Sequence, residues 1–254
     1  MKRLALAVAA SLAAIAGSAP AQETPPVSGY QFLLPETQAL QDDDFANPGM
    51  LWVELGGKLW DEPAGNGTSC QNCHGAPEAM RGVGTRYPQW SQTEGRVISL
   101  EQQVNQCRAE RQQADPFGYS SQELVSLSAL VMHQSRGLPM SVATDGPAAS
   151  AYRRGKAYYE TRRGQLNLAC SNCHVDQVGS RLRGEPISQG QVNGFPIYRQ
   201  LWQDMGSVGR MIAWCNDAVR AEPLAEGSQM AVELELYLRS LGNGLAIETP
   251  AVRR

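Results

Sequence analysis

Aromatic side chains are few, with 4 Phe, 5 Trp and 8 Tyr in 254 residues, and histidine is rarer still, with 3. Strand-like alternation of apolar and polar residues is scarce, so a mainly α fold is expected rather than a sheet-based one. Positive charge is not in excess, since 22 Lys and Arg stand against 25 Asp and Glu. That argues against a nucleic-acid partner, which would need a basic face. Beyond residue 17 no segment is apolar enough to cross a bilayer, so no membrane span is expected. Gly and Pro, by contrast, are plentiful, at 25 and 15.

The N-terminus has the pattern of an export signal. Lys2 and Arg3 precede the apolar run LALAVAASLAAIAG (4–17), and Ala19-Pro20-Ala21 fits a small-x-small cleavage site. The run is too short for a membrane span, so residues 1–21 are expected to be a signal peptide and the mature protein periplasmic. Cleavage removes two basic residues and leaves 20 against 25 acidic ones, a net charge of −5.

Six cysteines in an exported chain invite a reading of three disulfides. Four of them, however, fall in CQNCH (70–74) and CSNCH (170–174). C-x-x-C-H is the attachment signature of c-type haem, in which the two thiols bond covalently to the haem and the following histidine ligates the iron. Two covalently bound c-type haems are therefore expected, on Cys70 and Cys73 with His74, and on Cys170 and Cys173 with His174. Zinc is not, because each cluster offers three ligands and the haem pattern uses all of them.

The surroundings of the two motifs repeat. GGKLWDEPAGNGTSCQNCH resembles RGKAYYETRRGQLNLACSNCH, with Gly-Lys and an aromatic before each motif. A lone cysteine follows each, Cys107 at 33 residues after His74 and Cys215 at 41 after His174. A Ser-Gln helical segment comes next in both cases, over 120–137 and 227–244, ending at glycine. The expected architecture is two tandem cytochrome c-like domains related by an internal repeat, at 45–140 and 148–254. Residues 22–44 read as an irregular leader, and the Pro, Gly and Ser of 137–150 as a linker.

Each iron has a second axial position. His133 is the one histidine outside the motifs; near a helix end, it is expected to be solvated or capping. Met80, Met140, Met205 and Met211 are possible ligands, but methionine is common core filler. The lone cysteines are better placed. Ser99 and Gln102 form a capping-box pair, and Leu100, Val104 and Cys107 follow at helical spacing. Val208, Ile212, Cys215 and Val219 repeat that spacing. A Cys107–Cys215 disulfide would join equivalent, inward-facing positions of separate units, against the short Cα distance a disulfide demands. Axial ligation by both cysteines is the expectation. A thiolate stabilises ferric iron and lowers its potential, which points to sulfur chemistry rather than a simple electron shuttle.

Two CxxCH units, each followed by a cysteine in a helix (LEQQVNQCRAERQQADPFGYSSQELVSLSALV and GRMIAWCNDAVRAEP), resemble the dihaem SoxA family of the periplasmic thiosulfate-oxidising system. The resemblance covers nearly all of the mature chain. It implies an L-cysteine S-thiosulfotransferase subunit that binds a small monohaem cytochrome c of the SoxX type. The complex joins thiosulfate oxidatively to a cysteine of a SoxYZ-type carrier, and two electrons leave through haem. It also implies that His74 and Cys107 are axial at the first haem, and His174 and Cys215 at the second. Cys215 is then the catalytic cysteine and can bear an extra sulfur as a persulfide.

The resemblance places a substrate-binding arginine four residues before the catalytic cysteine. Here that residue is Met211, and Arg210 is five back, where a regular helix turns it away from the cysteine's face. Arg210 is the candidate substrate-binding residue, with Arg181, Arg183 and Arg220 as alternates. A dianionic sulfur substrate approaching an anionic chain needs local cations in any case. Two further functions fit the residues: a dihaem electron-transfer cytochrome without its own substrate, and a stand-alone thiosulfate dehydrogenase.

Overall fold

The computed structural model describes residues 25–182 and 184–254, so the expected signal peptide (1–21) and Arg183 lie outside the described residues. In chain order the helices are α1 (Pro35–Asp42), α2 (Met50–Asp61), α3 (Cys70–His74), α4 (Leu100–Arg111), α5 (Gln122–His133), α6 (Ala149–Glu160), α7 (Cys170–His174), α8 (Val208–Ala218) and α9 (Gln229–Leu241). The strands are short: β1 (Gln89–Ser91), β2 (Arg96–Ile98), β3 (Arg181–Leu182), β4 (Glu185–Pro186), β5 (Ile197–Arg199), β6 (Asp204–Gly206) and β7 (Ala251–Arg253). The chain is thus mostly helical, as expected.

α2 buries Val53, Gly56 and Trp60, whose spacing by three and four residues puts them on one face. That face packs on α5, which is buried along most of its length. The helices cross where Gly56 has no side chain, since a Cβ there would lie 2.3 Å from the Ser126 carbonyl oxygen. α6 and α9 cross in the same way, and a Cβ on Gly155 would lie 2.0 Å from the Glu233 carbonyl oxygen. Tyr159, four residues after Gly155, is buried as Trp60 is four residues after Gly56. In the second half the crossing glycine is that of the Gly-Lys pair noticed in the sequence, while in the first half it is Gly56, one residue before the Gly57-Lys58 pair.

The remaining elements also follow one order in both halves. An antiparallel hairpin precedes a serine-capped helix: β1–β2 pairs Trp90 with Val97 before α4, and β5–β6 pairs Tyr198 with Met205 before α8. Ser121 and Ser228 cap α5 and α9, each hydroxyl accepting from a first-turn N–H, of Leu124 at 3.2 Å and Ala231 at 3.4 Å. The loop between the CxxCH helix and the hairpin is longer in the second half, where it carries β3–β4, and this accounts for the 41-residue spacing against 33.

Two expectations are corrected. The stretch 22–44, read as irregular, holds a 3-10 turn at Gly29–Phe32 and helix α1. Pro35 starts α1, and buried Gln41 ties it to β7 by accepting from Val252 N at 3.0 Å. The stretch 137–150, read as a linker, is not free either. Met140 N donates to Leu245 O and Ile247 N to Leu138 O, both at 2.9 Å, and the Met140 side chain is 2 % exposed. It lies against Gly242, where a Cβ would come 2.6 Å from Met140 Cε. Met205 and Ile247 fill the core under α2 and α5, while Val97 packs with Val232 and Leu236 of α9. The two halves share their apolar interior.

At that junction α9 buries Glu235, bonded to Arg239 at 3.3 Å, beside Glu101 of α4. Burial, and then the Glu101 carboxylate, push the Glu235 carboxyl up to about 7, while Arg239 pulls it down.

Two predictions follow from this packing. Gly155→Ala should force α6 off α9 and cost at least about 2 kcal/mol, seen as a lower midpoint in urea unfolding with haem content unchanged. The folded state holds a proton on Glu235 that the unfolded chain releases at ordinary carboxylate pH. Stability should therefore fall as pH rises from the ordinary carboxylate range through about 7. In Glu235→Gln this part of the pH dependence of the unfolding midpoint should disappear.

Candidate functional site

α3 and α7 are single turns set up by the asparagine inside each motif. In α3 the Asn72 side chain accepts from Ser69 N at 2.8 Å, and Ser69 Oγ accepts from Asn72 N at 3.3 Å. In α7 Asn172 accepts from Ala169 N at 3.0 Å. No two of the six cysteines are placed as a disulfide pair.

His174 is oriented by its surroundings. Its Nδ1 lies 2.9 Å from the Ser188 carbonyl oxygen, which makes Nδ1 the protonated nitrogen and leaves the Nε2 lone pair free. Gly190, at φ +79°, lies against the ring, and a Cβ there would come 2.9 Å from His174 Cγ. Burial lowers the His174 pKa, which favours the neutral ring a metal ligand must present. His74 is exposed, with its ring 5.7 Å from that of Trp60, whose Nε1 donates to Gly75 O at 2.9 Å.

The fold brings each lone cysteine to its own motif. Cys107 and Cys215 each sit eight residues after the serine that caps their helix, Ser99 and Ser207. Burial and then Cys107 raise the Cys70 thiol pKa. Beside Cys70 is a cavity of about 280 Å³ lined by Leu59, Phe117, Leu127, Arg108 and Gln112. In the second half the Cys215 thiol is pushed up to about 12, first by burial and then by Cys170 and Cys173, with Arg199 acting against them. Such a thiol stays protonated at neutral pH unless a cation meets the sulfur. Two thiols for attachment, an imidazole with a free nitrogen and a sulfur that needs a cation form a donor set that fits an iron-centred c-type haem. Among the described residues, no group of three or more His, Cys, Asp or Glu is arranged to hold a metal ion by itself.

The other sequence candidates have different partners. His133 is tied by Nδ1 to the Thr249 carbonyl at 3.1 Å. Met140 and Met205 are core residues, and Met80 packs against the core. Arg210 is held by Asp204 Oδ2 at 2.6 Å and the Met205 carbonyl at 2.8 Å, with its guanidinium over Trp202. Arg181 donates to Gly184 O at 2.7 Å in an exposed hairpin. Arg220 is exposed, in a left-handed turn at φ +57°.

Three residues went unseen in the sequence. Ser188 and Gly190 lie in the longer loop of the second half, which has no counterpart to compare. Arg199, at the end of β5, donates from Nη1 to Met211 Sδ at 3.7 Å and stands over Trp214 at 4.5 Å. Its signal was available, since it lies sixteen residues before Cys215, where Ser91 lies sixteen before Cys107.

A mostly helical chain that presents CxxCH turns with a correctly oriented histidine is a c-type cytochrome. The SoxA/TsdA cytochrome c domain matches residues 55–140. The L-cysteine S-thiosulfotransferase subunit SoxA of Rhodovulum sulfidophilum is 42 % identical over 228 residues, 89 % of this chain and 79 % of that protein. The SoxA subunit of Paracoccus pantotrophus is 40 % identical over 89 % of this chain and 78 % of its own. The crystal structure of SoxXA from P. pantotrophus superposes with a TM-score of 0.88 at 39 % identity, covering 90 % of this chain and 87 % of that one. The chain belongs to the SoxA family of L-cysteine S-thiosulfotransferase subunits.

Gly190→Ala should displace the His174 ring, because the added carbon meets it at 2.9 Å and the backbone is left-handed there. The covalent haem of the second motif should remain attached while its absorption spectrum changes; mass and visible spectra of the purified variant check both.

Proposed function

We propose that this chain carries two covalent haems, one in each of two tandem cytochrome c-like units (45–140 and 148–254), and that the second is the catalytic centre. Cys70 and Cys73 would hold the first haem covalently, with His74 and Cys107 as the residues that would ligate its iron. Cys170 and Cys173 would hold the second, with His174 and Cys215. The matched order of hairpin, capped helix and cysteine in the two halves supports this assignment. The catalytic reading rests on one observation: a half-buried cation, Arg199, acts on the Cys215 sulfur.

The reaction is the oxidative conjugation of thiosulfate to a cysteine of a SoxYZ-like carrier protein. The carrier thiol loses its proton to solvent, and its sulfur bonds to the outer sulfur of thiosulfate. Two electrons leave in the process, so charge and atoms balance. Bound haem supplies one-electron acceptance and a cation for the Cys215 sulfur. The protein's own residues set the geometry. The Ser188 carbonyl fixes the His174 tautomer, Gly190 leaves room for its ring, and Cys215 presents its sulfur where the outer sulfur of thiosulfate and the carrier thiol meet. Electrons pass on to a small SoxX-like monohaem cytochrome c, the stable partner. Export by the signal peptide puts the reaction in the periplasm. The −5 charge of the mature chain favours docking through limited patches.

Paired substitutions test the assignment. Cys215→Ser should keep both haems, because the attaching cysteines are untouched, and should lose carrier-dependent thiosulfate oxidation by orders of magnitude. Cys107→Ser should alter the spectrum of the first haem and leave most turnover. Intact mass of the denatured proteins gives the haem count, and peptide mass reads any extra sulfur on Cys215. Near-normal turnover of a fully loaded Cys215→Ser protein would falsify the catalytic role, and equal loss in both variants would favour electron transfer through two cooperating haems.

A further inference from the structure

We propose that Arg199 is the oxyanion-binding residue of the second site, receiving the sulfonate oxygens of thiosulfate so that the outer sulfur faces Cys215. The inference rests on the catalytic reading of Cys215 given above. Its structural basis is separate.

Arg199 is a half-buried cation that forms no ion pair among the described residues. Its Nε is buried and makes no hydrogen bond among the described residues, and none of the ion pairs found among them includes it. The one acceptor of its Nη1 is the Met211 thioether at 3.7 Å, a weak acceptor. Glu185 acts on Arg199 electrostatically but is paired with Arg254 at 3.2 Å. A guanidinium withdrawn from water is costly unless an anion meets it. Trp202 and Trp214 lie 5.3 and 4.5 Å from its carbon and restrict its plane, while the N–H edge stays suited to two oxygens of one anion.

The position is specific to this half of the molecule. Arg199 ends β5 and pairs with Asp204, whereas Ser91 ends β1 and pairs with Arg96 in the matching hairpin. Four residues before Cys107 stands Gln103, whose amide donates to the Cys107 sulfur at 3.4 Å. Four residues before Cys215 stands Met211, and the Arg199 guanidinium reaches over it. A cation that helix α8 does not supply at this turn is brought by the strand instead. The cation next to Cys107, Arg108, is turned onto Phe117 and bonded to the Asp115 carbonyl at 2.6 Å. Arg210 is likewise neutralised, by Asp204.

The test uses the full protein with its haems and monohaem partner, in Arg199→Gln and Arg199→Lys forms. Three measurements are made: carrier-dependent turnover against thiosulfate concentration, calorimetric titration with thiosulfate without the carrier, and haem content with the ferric spectrum. Arg199→Gln should raise KM for thiosulfate about 10- to 100-fold, the loss expected for a charged hydrogen-bonding partner. It should change kcat less, weaken calorimetric binding to match, and leave haem content and spectrum as they were. Arg199→Lys should recover part of the affinity. Unchanged KM and binding in a fully loaded Arg199→Gln protein overturns the proposal. Loss of haem or an altered spectrum in both variants also overturns it, by assigning the arginine to the haem. Wild-type protein without carrier-dependent turnover would instead count against the function proposed above, and the calorimetric comparison would still decide Arg199.

Discussion

The backbone contact of α6 with α9 at Gly155, matched by that of α2 with α5 at Gly56, is the constraint on which the other elements depend. Helices this close leave no freedom to slide, because any side chain at the crossing would strike a carbonyl oxygen. Each rigid pair then fixes the start of the loop that leads to its CxxCH turn and the face on which its hairpin and capped helix lie. Trp60 and Tyr159, one helical turn past each glycine, carry the apolar packing from the crossing to the motif.

The two sites built in this way differ in electrostatics more than in frame. At Cys107 the helix itself donates a neutral amide from Gln103. At Cys215 the matching turn offers only a thioether, and a strand brings a guanidinium that forms no ion pair among the described residues. Charge–charge interaction in a desolvated setting is far stronger than an amide dipole. The same scaffold can thus support an inert electron centre on one side and an anion-handling centre on the other. The longer loop of the second half adds Ser188 and Gly190 around His174, and its β4 residue Glu185 meets the C-terminal Arg254. The halves are not independent, since Met205, Ile247 and Val97 cross between cores and Glu101 faces Glu235 at the seam.

The sequence by itself determined the two CxxCH motifs, the lone cysteine that follows each, and the mainly helical class, because these depend on residue identity at fixed local spacing. Cap and helix around Cys107 were legible for the same reason, as Ser99 and Gln102 bond within one turn. The tertiary structure alone decided what non-local contacts control. It tied α1 to β7 through Gln41, locked 137–142 against 243–247, and committed Arg210 to Asp204. It brought Arg199 to Cys215 from a strand sixteen residues away. Helical periodicity searches one face of one helix, and a cation delivered from a neighbouring hairpin leaves no mark in that pattern.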